Sequence, residues 1–286
     1  MKLRVSSSVA QFRKKAERAW GLQEWEGVDD PDQEILFFGL FHDRDFEVFH
    51  NFKGKKSVFW CGGDILRLTE DYERRRVMKI APETIHYCET EEQAIKLRSA
   101  GLNPTIIPSF LGNIYHYPSS FTVPEDGKWK IWMCGHERRE QEYGFDQAKE
   151  LAKMFDDIEV HFYGVRKEYE GKVVTELDSL TNVFYHGQVP EEEFDEDIKK
   201  YHCGLRPNEN DGVSEVVIKS LLLGQYPISK LPYEGVWQYK SFGELAELVV
   251  KLKEQRQENV RVRTMWIKKL NQFPWCKKDF YESDKV

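Results

Sequence analysis

The chain lacks the long hydrophobic run of a membrane-spanning helix. No apolar stretch approaches the roughly 18 residues that such a helix needs, and the N-terminal sequence has no continuous apolar core of the signal-peptide type. We therefore expect a cytoplasmic protein with no transmembrane segment. Residues 9–20 leave two interpretations open: a basic amphipathic helix in weak contact with an anionic membrane surface, or a surface helix packed on its own domain.

Cysteine pairs and metal-ligand spacings are also missing. The odd number of cysteines and the absence of Cys-x-x-Cys predict reduced, buried thiols rather than a disulfide framework or a zinc site. The eight histidines show no His-Glu-x-x-His or comparable spacing. The sequence therefore predicts no metal site and no cofactor. The five cysteines are Cys61, Cys88, Cys134, Cys203 and Cys276.

The chain also lacks an excess of positive charge. The chain has 42 Lys and Arg against 49 Asp and Glu, a formal net charge of −7. General nucleic-acid binding needs a basic face for phosphate contacts, so the sequence gives no strong nucleic-acid signal. A Walker loop, a Gly-x-Ser-x-Gly elbow and a full Gly-x-Gly-x-x-Gly after a strand are absent as well.

The chain has ample material for two hydrophobic cores. Its 286 residues, 40% of them hydrophobic and 14% aromatic, suit two domains of roughly 100–150 residues each. Proline and glycine cluster among polar residues at 116–130, which marks the best boundary. We predict an N-terminal domain over 1–122 and a C-terminal domain over 123–272.

Short apolar runs alternate with amphipathic segments along both halves. This alternation predicts βαβ units, and continuously apolar strands predict parallel sheets covered on both faces. Helices are predicted near 90–100, 145–155, 191–200, 213–223 and 243–257. The predicted strands are 35–39, 57–61, 84–88, 105–107, 130–134, 158–164, 182–187, 202–206 and 226–229. The fold class is therefore α/β.

The loops that follow the strands are the expected places for chemistry, because parallel sheets bind ligands beyond the carboxyl ends of their strands. The sequence NDGVSE leads into a helix. Gly212, Val213 and Ser214 would offer an anion site at the helix N-terminus. The alternative is that Asp211 or Ser214 only caps this helix and offsets its dipole.

Two arginines follow a strand that ends near Gly135. Arg138 and Arg139 suit phosphate oxygens through their forked geometry, although the surrounding glutamates would equally make a solvated loop. Gly187 lies in a turn where a ligand could approach the backbone closely.

A glycine pair follows the strand at 57–61. Gly62 and Gly63 would permit close approach of a ligand, and Asp64 would accept hydrogen bonds from hydroxyl groups. The alternative is that Asp64 serves as the N-cap of the helix that begins at Ile65.

Taken in order, the strand ends and loops of the second half resemble the C-terminal domain of GT-B glycosyltransferases of the family 4 type. The segments that carry the resemblance are IWMCGHERREQEYGFDQAKELAKMF, IEVHFYGV and NVFYHGQVPEEEFDEDIKKYHCGLRPNENDGVSEVVIKSLLLGQYPIS. KSVFWCGGDIL and APETIHYCETEEQAIKLRSAGLNPTIIPS are similar, more loosely, to the partner domain. FPWCKKDFYE resembles the family's closing helix.

The resemblance implies two Rossmann-like, doubly wound domains facing a cleft. The N-terminal domain would be a shortened acceptor-side domain whose first βαβ unit is compressed or absent in 1–34. Residues 273–286 would form a helix that crosses back to it. Gly62, Gly63 and Asp64 would lie on the acceptor or sugar side.

Several family positions carry other residues here. The family's paired glutamates, seven residues apart, fall on Asp211 and Lys219, which the resemblance makes the catalytic residues. The family's arginine falls on His136 and its diphosphate-binding lysine on Tyr143. The resemblance assigns the donor to Gly135, Arg138, Arg139, Gly187, Val189, Arg206, Gly212, Val213 and Ser214, with the three arginines supplying the missing positive charge.

The implied activity is that of a retaining, metal-independent hexosyltransferase. It would move a sugar from a nucleotide-diphospho-sugar, such as a UDP-sugar, to an acceptor that the sequence does not identify. Two alternatives stay open. One is a degenerate GT-B protein that binds a nucleotide sugar or a protein partner without transfer, and the other is a nucleotide-sugar epimerase.

Overall fold

The computed structural model describes residues 1–27, 30–66, 83–136, 139–165, 179–209 and 211–277. They form two compact units. The first comprises Met1–Asn113, Asn210–Val213 and Phe273–Val286, and the second comprises Ile114–Glu209 and Ser214–Gln272. The domain ranges expected from the sequence stay a prediction. Within the described ranges, no helix is both long and apolar enough to cross a membrane.

Six strands form the sheet of the first unit: β1 (Lys2–Val5), β2 (Gln23–Glu24), β3 (Glu34–Phe38), β4 (Lys55–Phe59), β5 (Ile85–Cys88) and β6 (Pro104–Ile106). Their order is β2-β1-β3-β4-β5-β6, and every pair is parallel. The first βαβ unit is therefore present in a short form. Because the strands are parallel, the loops after β4, β5 and β6 lie at one edge.

Helices cover both faces of this sheet: α1 (Arg13–Trp20), α2 (Asp43–Asn51) and α3 (Glu91–Ser99). Alternate residues of β3 point to opposite faces, so Ile35 and Phe37 join a cluster with residues of α2 and α3. Leu36 and Phe38 join a second cluster with α1. Short 3-10 segments lie at Ser7–Phe12 and Pro274–Lys277. The rest of the predicted closing helix, 278–286, lies outside the described residues.

The second unit repeats this architecture with β7 (Trp129–Cys134), β8 (Ile158–Tyr163), β9 (Val183–Gly187), β10 (Cys203–Arg206), β11 (Ile228–Ser229) and β12 (Trp237–Gln238). The order is β12-β11-β10-β7-β8-β9, again all parallel. The direction of winding reverses between β7 and β10. Doubly wound sheets bind their ligands beyond the carboxyl ends of the strands at this point.

Within the described residues, the helices of the second unit are α4 (Phe145–Met154), α5 (Glu191–Asp197), α6 (Glu215–Leu222), α7 (Phe242–Lys253) and α8 (Val260–Leu270), with 3-10 turns at Ile114–His116 and Ile198–Lys200. Ile131, Met133, Phe145 and Phe162 lie at the centre of the core. Helix α6 is buried from its second residue to its last. A helix that is apolar on all sides belongs inside a protein, and its sequence EVVIKSLL carries one lysine there.

The structure confirms all nine predicted strands and all five predicted helices, with shifts of a few residues at their ends. The strands β1, β2 and β12 and the helices α2 and α8 were not among those predictions. The five cysteines are free, as expected, and three of them are buried.

Candidate functional site

The loop after β7 begins at Gly135, where packing requires a glycine. A Cβ atom at this position would lie 2.7 Å from both the Phe145 ring and Val165. Arg139 is exposed and forms an ion pair with Glu142, with 2.7 Å between Nη2 and Oε2. Arg138 lies outside the described residues. Arg139 is therefore a solvated side chain, as the alternative interpretation of this loop expects.

Arg206 supplies positive charge at the point where the winding reverses. It is the last residue of β10 and is half-buried, and its guanidinium carbon lies 5.0 Å from the centre of the Tyr143 ring. Burial raises the pKa of the Cys134 thiol to about 11, and the charge of Arg206 opposes this shift. Cys134 ends β7 and Arg206 ends the neighbouring strand β10, so the guanidinium charge lies at the carboxyl edge that these two strands share.

Helix α6 begins beside this edge. The Ser214 hydroxyl accepts a hydrogen bond from the Val216 backbone N–H at 3.2 Å, so Ser214 is the N-cap of the helix. Asn208, in the loop before it, is buried, and its Oδ1 atom has no hydrogen-bond partner among the residues that the structure describes. An unsatisfied buried amide oxygen costs free energy, which a hydroxyl or N–H group of a ligand would recover.

The turn after β9 leaves room next to its backbone. Gly187 has a φ of +71°, and no heavy atom of the described residues lies within 4 Å of the position a Cβ would take. Its carbonyl oxygen accepts a hydrogen bond from the Gly164 N–H at 2.7 Å, which fixes the turn against β8. Val189 follows as a half-buried residue. A planar ligand group would fit against such an open glycine turn.

Lys219 is buried inside the second unit, with a side chain only 2% exposed. Its Nζ atom lies 2.8 Å from Asp195 Oδ1, 3.4 Å from Glu191 Oε1 and 3.5 Å from Glu215 Oε2. The second oxygen of Asp195 accepts a hydrogen bond from the Tyr117 hydroxyl at 2.7 Å. Lys219 therefore ties α6 to α5 through buried charge.

The electrostatic surroundings keep this lysine charged. Burial alone lowers the pKa of Lys219, but Tyr117 and the three carboxylates outweigh it and raise the pKa well above its ordinary value. The ammonium also lies 4.9 Å from the centre of the Phe194 ring. The geometry is that of an internal counterion rather than an exposed binding group.

Asp211, Gly212 and Val213 are grouped with the first unit, although they lie within the range 123–272 predicted for the C-terminal domain. Asp211 is half-buried, and its Oδ1 atom accepts a hydrogen bond from the Gly212 N–H at 3.0 Å. The Val213 N–H donates to Glu89 Oε2 at 3.0 Å. Glu89 is 7% exposed and immediately follows β5. The turn is thus held by a carboxyl group that the sequence did not single out.

Of the predicted acceptor-side residues, Gly62 lies directly against this turn. Its φ is +101°, and a Cβ there would lie 2.6 Å from the Asp211 carbonyl carbon. Asp64 is fully buried, and its oxygens accept hydrogen bonds from the backbone N–H groups of Leu40 at 3.1 Å and Cys61 at 2.9 Å. Burial raises the pKa of Asp64 to about 6. Asp64 therefore stabilises its own turn through hydrogen bonds to the backbone. Gly63 lies close to Phe41, since a Cβ at this position would lie 3.3 Å from the Phe41 ring.

Glu89 was not predicted as a site residue, because its segment, CETEEQ, contains three glutamates and composition alone does not separate them. The signal that separates them is the capping box at the start of α3. Thr90 accepts from the Gln93 N–H, and the Gln93 side chain accepts from the Thr90 N–H. This motif assigns Glu91 and Glu92 to the first helical turn and leaves Glu89 at the end of the strand.

No family model matches the sequence, and no curated protein matches it either. Solved structures do match its fold. TarM superimposes with a TM-score of 0.62 at 12% identity, over 85% of this chain and 53% of TarM. The UDP-forming α,α-trehalose-phosphate synthase of Burkholderia xenovorans gives 0.63 at 10% identity, over 95% and 77% of the two chains. The chain has the GT-B fold.

A third GT-B structure, Anabaena Alr3699/HepE in complex with UDP and glucose, matches with a TM-score of 0.59 at 12% identity. It covers 82% of this chain and 73% of its own. The chain thus spans about half the length of TarM and about three quarters of the other two GT-B proteins. These matches confirm the fold that the sequence resemblance implies. Because their sequence identities are only 10–12%, they show the fold alone.

Proposed function

We propose that this GT-B protein is a glycosyltransferase that takes a sugar from a nucleotide-diphospho-sugar and passes it to an acceptor. Structures of the same fold support the donor class. HepE is described in complex with UDP and glucose, and pneumococcal GtfA in complex with UDP and GlcNAc. We extend the proposal to a retaining hexosyl transfer that needs no metal ion.

The observation that carries the proposal is the carboxyl edge of the second sheet between β7 and β10. Half-buried Arg206 lies over Tyr143, where the family's diphosphate-binding lysine is expected. Helix α6 begins with its cap in the same strand-to-helix connection, so its first N–H groups add partial positive charge. Fixed charge and amide groups of this kind stabilise a leaving diphosphate.

The remaining donor contacts follow from the chemistry of the loops. The open turn at Gly187 and Val189 would receive the base, and the unpartnered Asn208 oxygen would accept a hydrogen bond from a ribose hydroxyl. Asp211, three residues before the cap of α6, is the proposed carboxylate for the transferred sugar. Its negative charge would stabilise positive charge that develops at the anomeric carbon.

One observation favours a second candidate, a protein that binds a nucleotide sugar without transfer. The position of the family's second glutamate, which holds ribose hydroxyls, carries Lys219, and this lysine is enclosed by Asp195, Glu191 and Glu215. A buried ammonium with three counterions has no group left for a ribose. In our proposal Asn208 takes over that contact.

Incubation with a panel of UDP-, GDP- and ADP-sugars tests the proposal, with chromatography of the free nucleotide and of the sugar. We expect slow release of nucleoside diphosphate from one donor even without an acceptor, since water replaces the missing acceptor. Binding with no release would favour the second candidate, and a new epimer without free nucleotide would indicate an epimerase. Absence of both binding and release across the panel would refute the proposal.

A further inference from the structure

Both oxygens of the Glu89 carboxyl group form hydrogen bonds inside the first unit. Its Oε1 atom accepts hydrogen bonds from the Ser109 backbone N–H at 3.2 Å and from the Ser109 hydroxyl, and its Oε2 atom accepts from the Val213 N–H at 3.0 Å. Ser109 follows β6, whereas Glu89 follows β5. One buried side chain thus links two strand ends to the turn that contains Asp211.

The neighbouring residues leave space for this contact and add hydrogen bonds around it. A Cβ at Gly212 would lie 1.6 Å from Glu89 Oε2, so the carboxyl group reaches the turn because residue 212 is a glycine. The Gln93 side chain accepts from the Glu89 N–H at 2.8 Å and donates to the Asp211 carbonyl oxygen at 3.4 Å. Gly62 packs against the other side of the Asp211 peptide. The turn is therefore held through its backbone, while the Asp211 side chain accepts a hydrogen bond from the Gly212 N–H.

Burial and neighbouring charge together set the protonation of this carboxyl group. Burial, with a smaller contribution from the Asp211 carboxylate, raises the pKa of Glu89 to about 8 against the hydrogen bonds from Ser109 and Val213. The thiols of Cys61 and Cys88 stay neutral because burial raises the pKa of each, and Asp64, after β4, ionises near pH 6. At pH 7 Glu89 keeps its proton, so its Oε1–H then donates to the Ser109 hydroxyl oxygen instead of accepting from it. It loses this proton as the pH rises through about 8.

We propose that Glu89 is a positioning residue, which holds the backbone of the turn from Asp211 to Val213 so that the Asp211 carboxylate takes its working orientation. The inference rests on the proposed function for the role of Asp211. Neutral Glu89 holds the turn without repelling Asp211. Ionised Glu89 places a second negative charge beside it, and the turn is then pushed away.

Glu89→Gln and Glu89→Ala separate this role from simple structural support. Glutamine keeps a hydrogen-bond acceptor for the Val213 N–H and stays neutral at every pH, whereas alanine removes the acceptor. In the donor-hydrolysis assay we expect Glu89→Ala to lower kcat by about 100-fold with little change in KM, because a catalytic group is misplaced. Glu89→Gln should retain most of the wild-type kcat at pH 7 and should lack the wild-type decline between pH 7 and 9.

Amide hydrogen exchange of the same proteins gives a readout that needs no activity. The Val213 amide should exchange about tenfold faster in Glu89→Ala than in the wild type, and at the wild-type rate in Glu89→Gln. Glu92→Gln and Glu92→Ala are the matched controls. Glu92 lies in the first turn of α3 and pairs with Lys96 at 2.8 Å, so neither readout should change.

The outcomes distinguish this inference from the proposed function. A wild-type protein without turnover refutes the function, while the exchange rates of Val213 still decide whether Glu89 holds the turn. Wild-type exchange in Glu89→Ala overturns the inference. So does an alkaline decline of kcat in Glu89→Gln that matches the wild type, and this comparison remains available if Glu89→Ala does not fold.

Discussion

Lys219→Met is expected to lower the free energy of unfolding by about 3–5 kcal/mol, the usual cost of removing one partner of a buried ion pair. Methionine replaces most of the apolar lysine chain and removes the ammonium, which lies 4.9 Å from the centre of the Phe194 ring. The loss is therefore electrostatic. Asp195, with a side chain 5% exposed, would keep a buried negative charge with no cation at 2.8 Å. Urea denaturation followed by tryptophan fluorescence measures the difference.

A second substitution tests that explanation. Asp195→Asn in the Lys219→Met background removes the uncompensated charge and keeps an oxygen for the Tyr117 hydroxyl. We expect the double variant to recover most of the lost stability, since neutral replacements of buried pairs are close to neutral in free energy.

Lys253→Met is the matched control. Lys253 pairs with Asp157 at 2.7 Å, but the two side chains are 24% and 46% exposed. Water screens this pair, so its loss should cost no more than about 1 kcal/mol. Equal costs for Lys219→Met and Lys253→Met would contradict the buried-counterion account.

Asp211→Asn is expected to reduce turnover of the donor by at least about 100-fold while the protein stays folded. The carboxylate supplies a full negative charge to the reacting sugar in our proposal, and loss of one such electrostatic contact typically costs that much or more. Asparagine keeps the oxygen that accepts the Gly212 N–H, so the turn is preserved. Initial rates of nucleoside diphosphate release measure the effect.

Glu209→Gln is the control for Asp211→Asn. Glu209 lies two residues earlier, is exposed, and pairs with Lys230 at 2.9 Å. Its removal should leave turnover unchanged. If Asp211→Asn retained the wild-type rate, the assignment of the catalytic carboxylate would be wrong.

Much of the fold can be predicted because its strands are continuous apolar runs between turn residues. Strand β3, in ILFFG, is an example. The elements that were missed carry a weaker signal. Strand β1, KLRV, alternates charged and apolar residues, and β12 has two residues. Helix α2, DRDFEVFHN, is short and mostly polar.

Some features of the candidate site could likewise be predicted from the sequence, and others could not. The order of the strand-end loops is a property of the sequence. The positions of Gly187 and Arg206 at the ends of β9 and β10, and of Asp211 in the loop after β10, could therefore be predicted. The partners of Lys219 could not, because Asp195 lies 24 residues away on another helix. The contact between Glu89 and Val213 spans 124 residues, and no local pattern encodes it.

Calorimetric titration with UDP, GDP and ADP tests whether the edge between β7 and β10 binds a nucleoside diphosphate. We predict saturable binding of one of the three, weakened about 10- to 100-fold by Arg206→Met through loss of a charge-assisted contact. Arg256→Met should bind as the wild type does, since Arg256 is exposed and donates to the carbonyl groups of Lys253 and Gln255. Absence of binding to all three nucleotides, or equal affinity of the two arginine variants, would contradict the account.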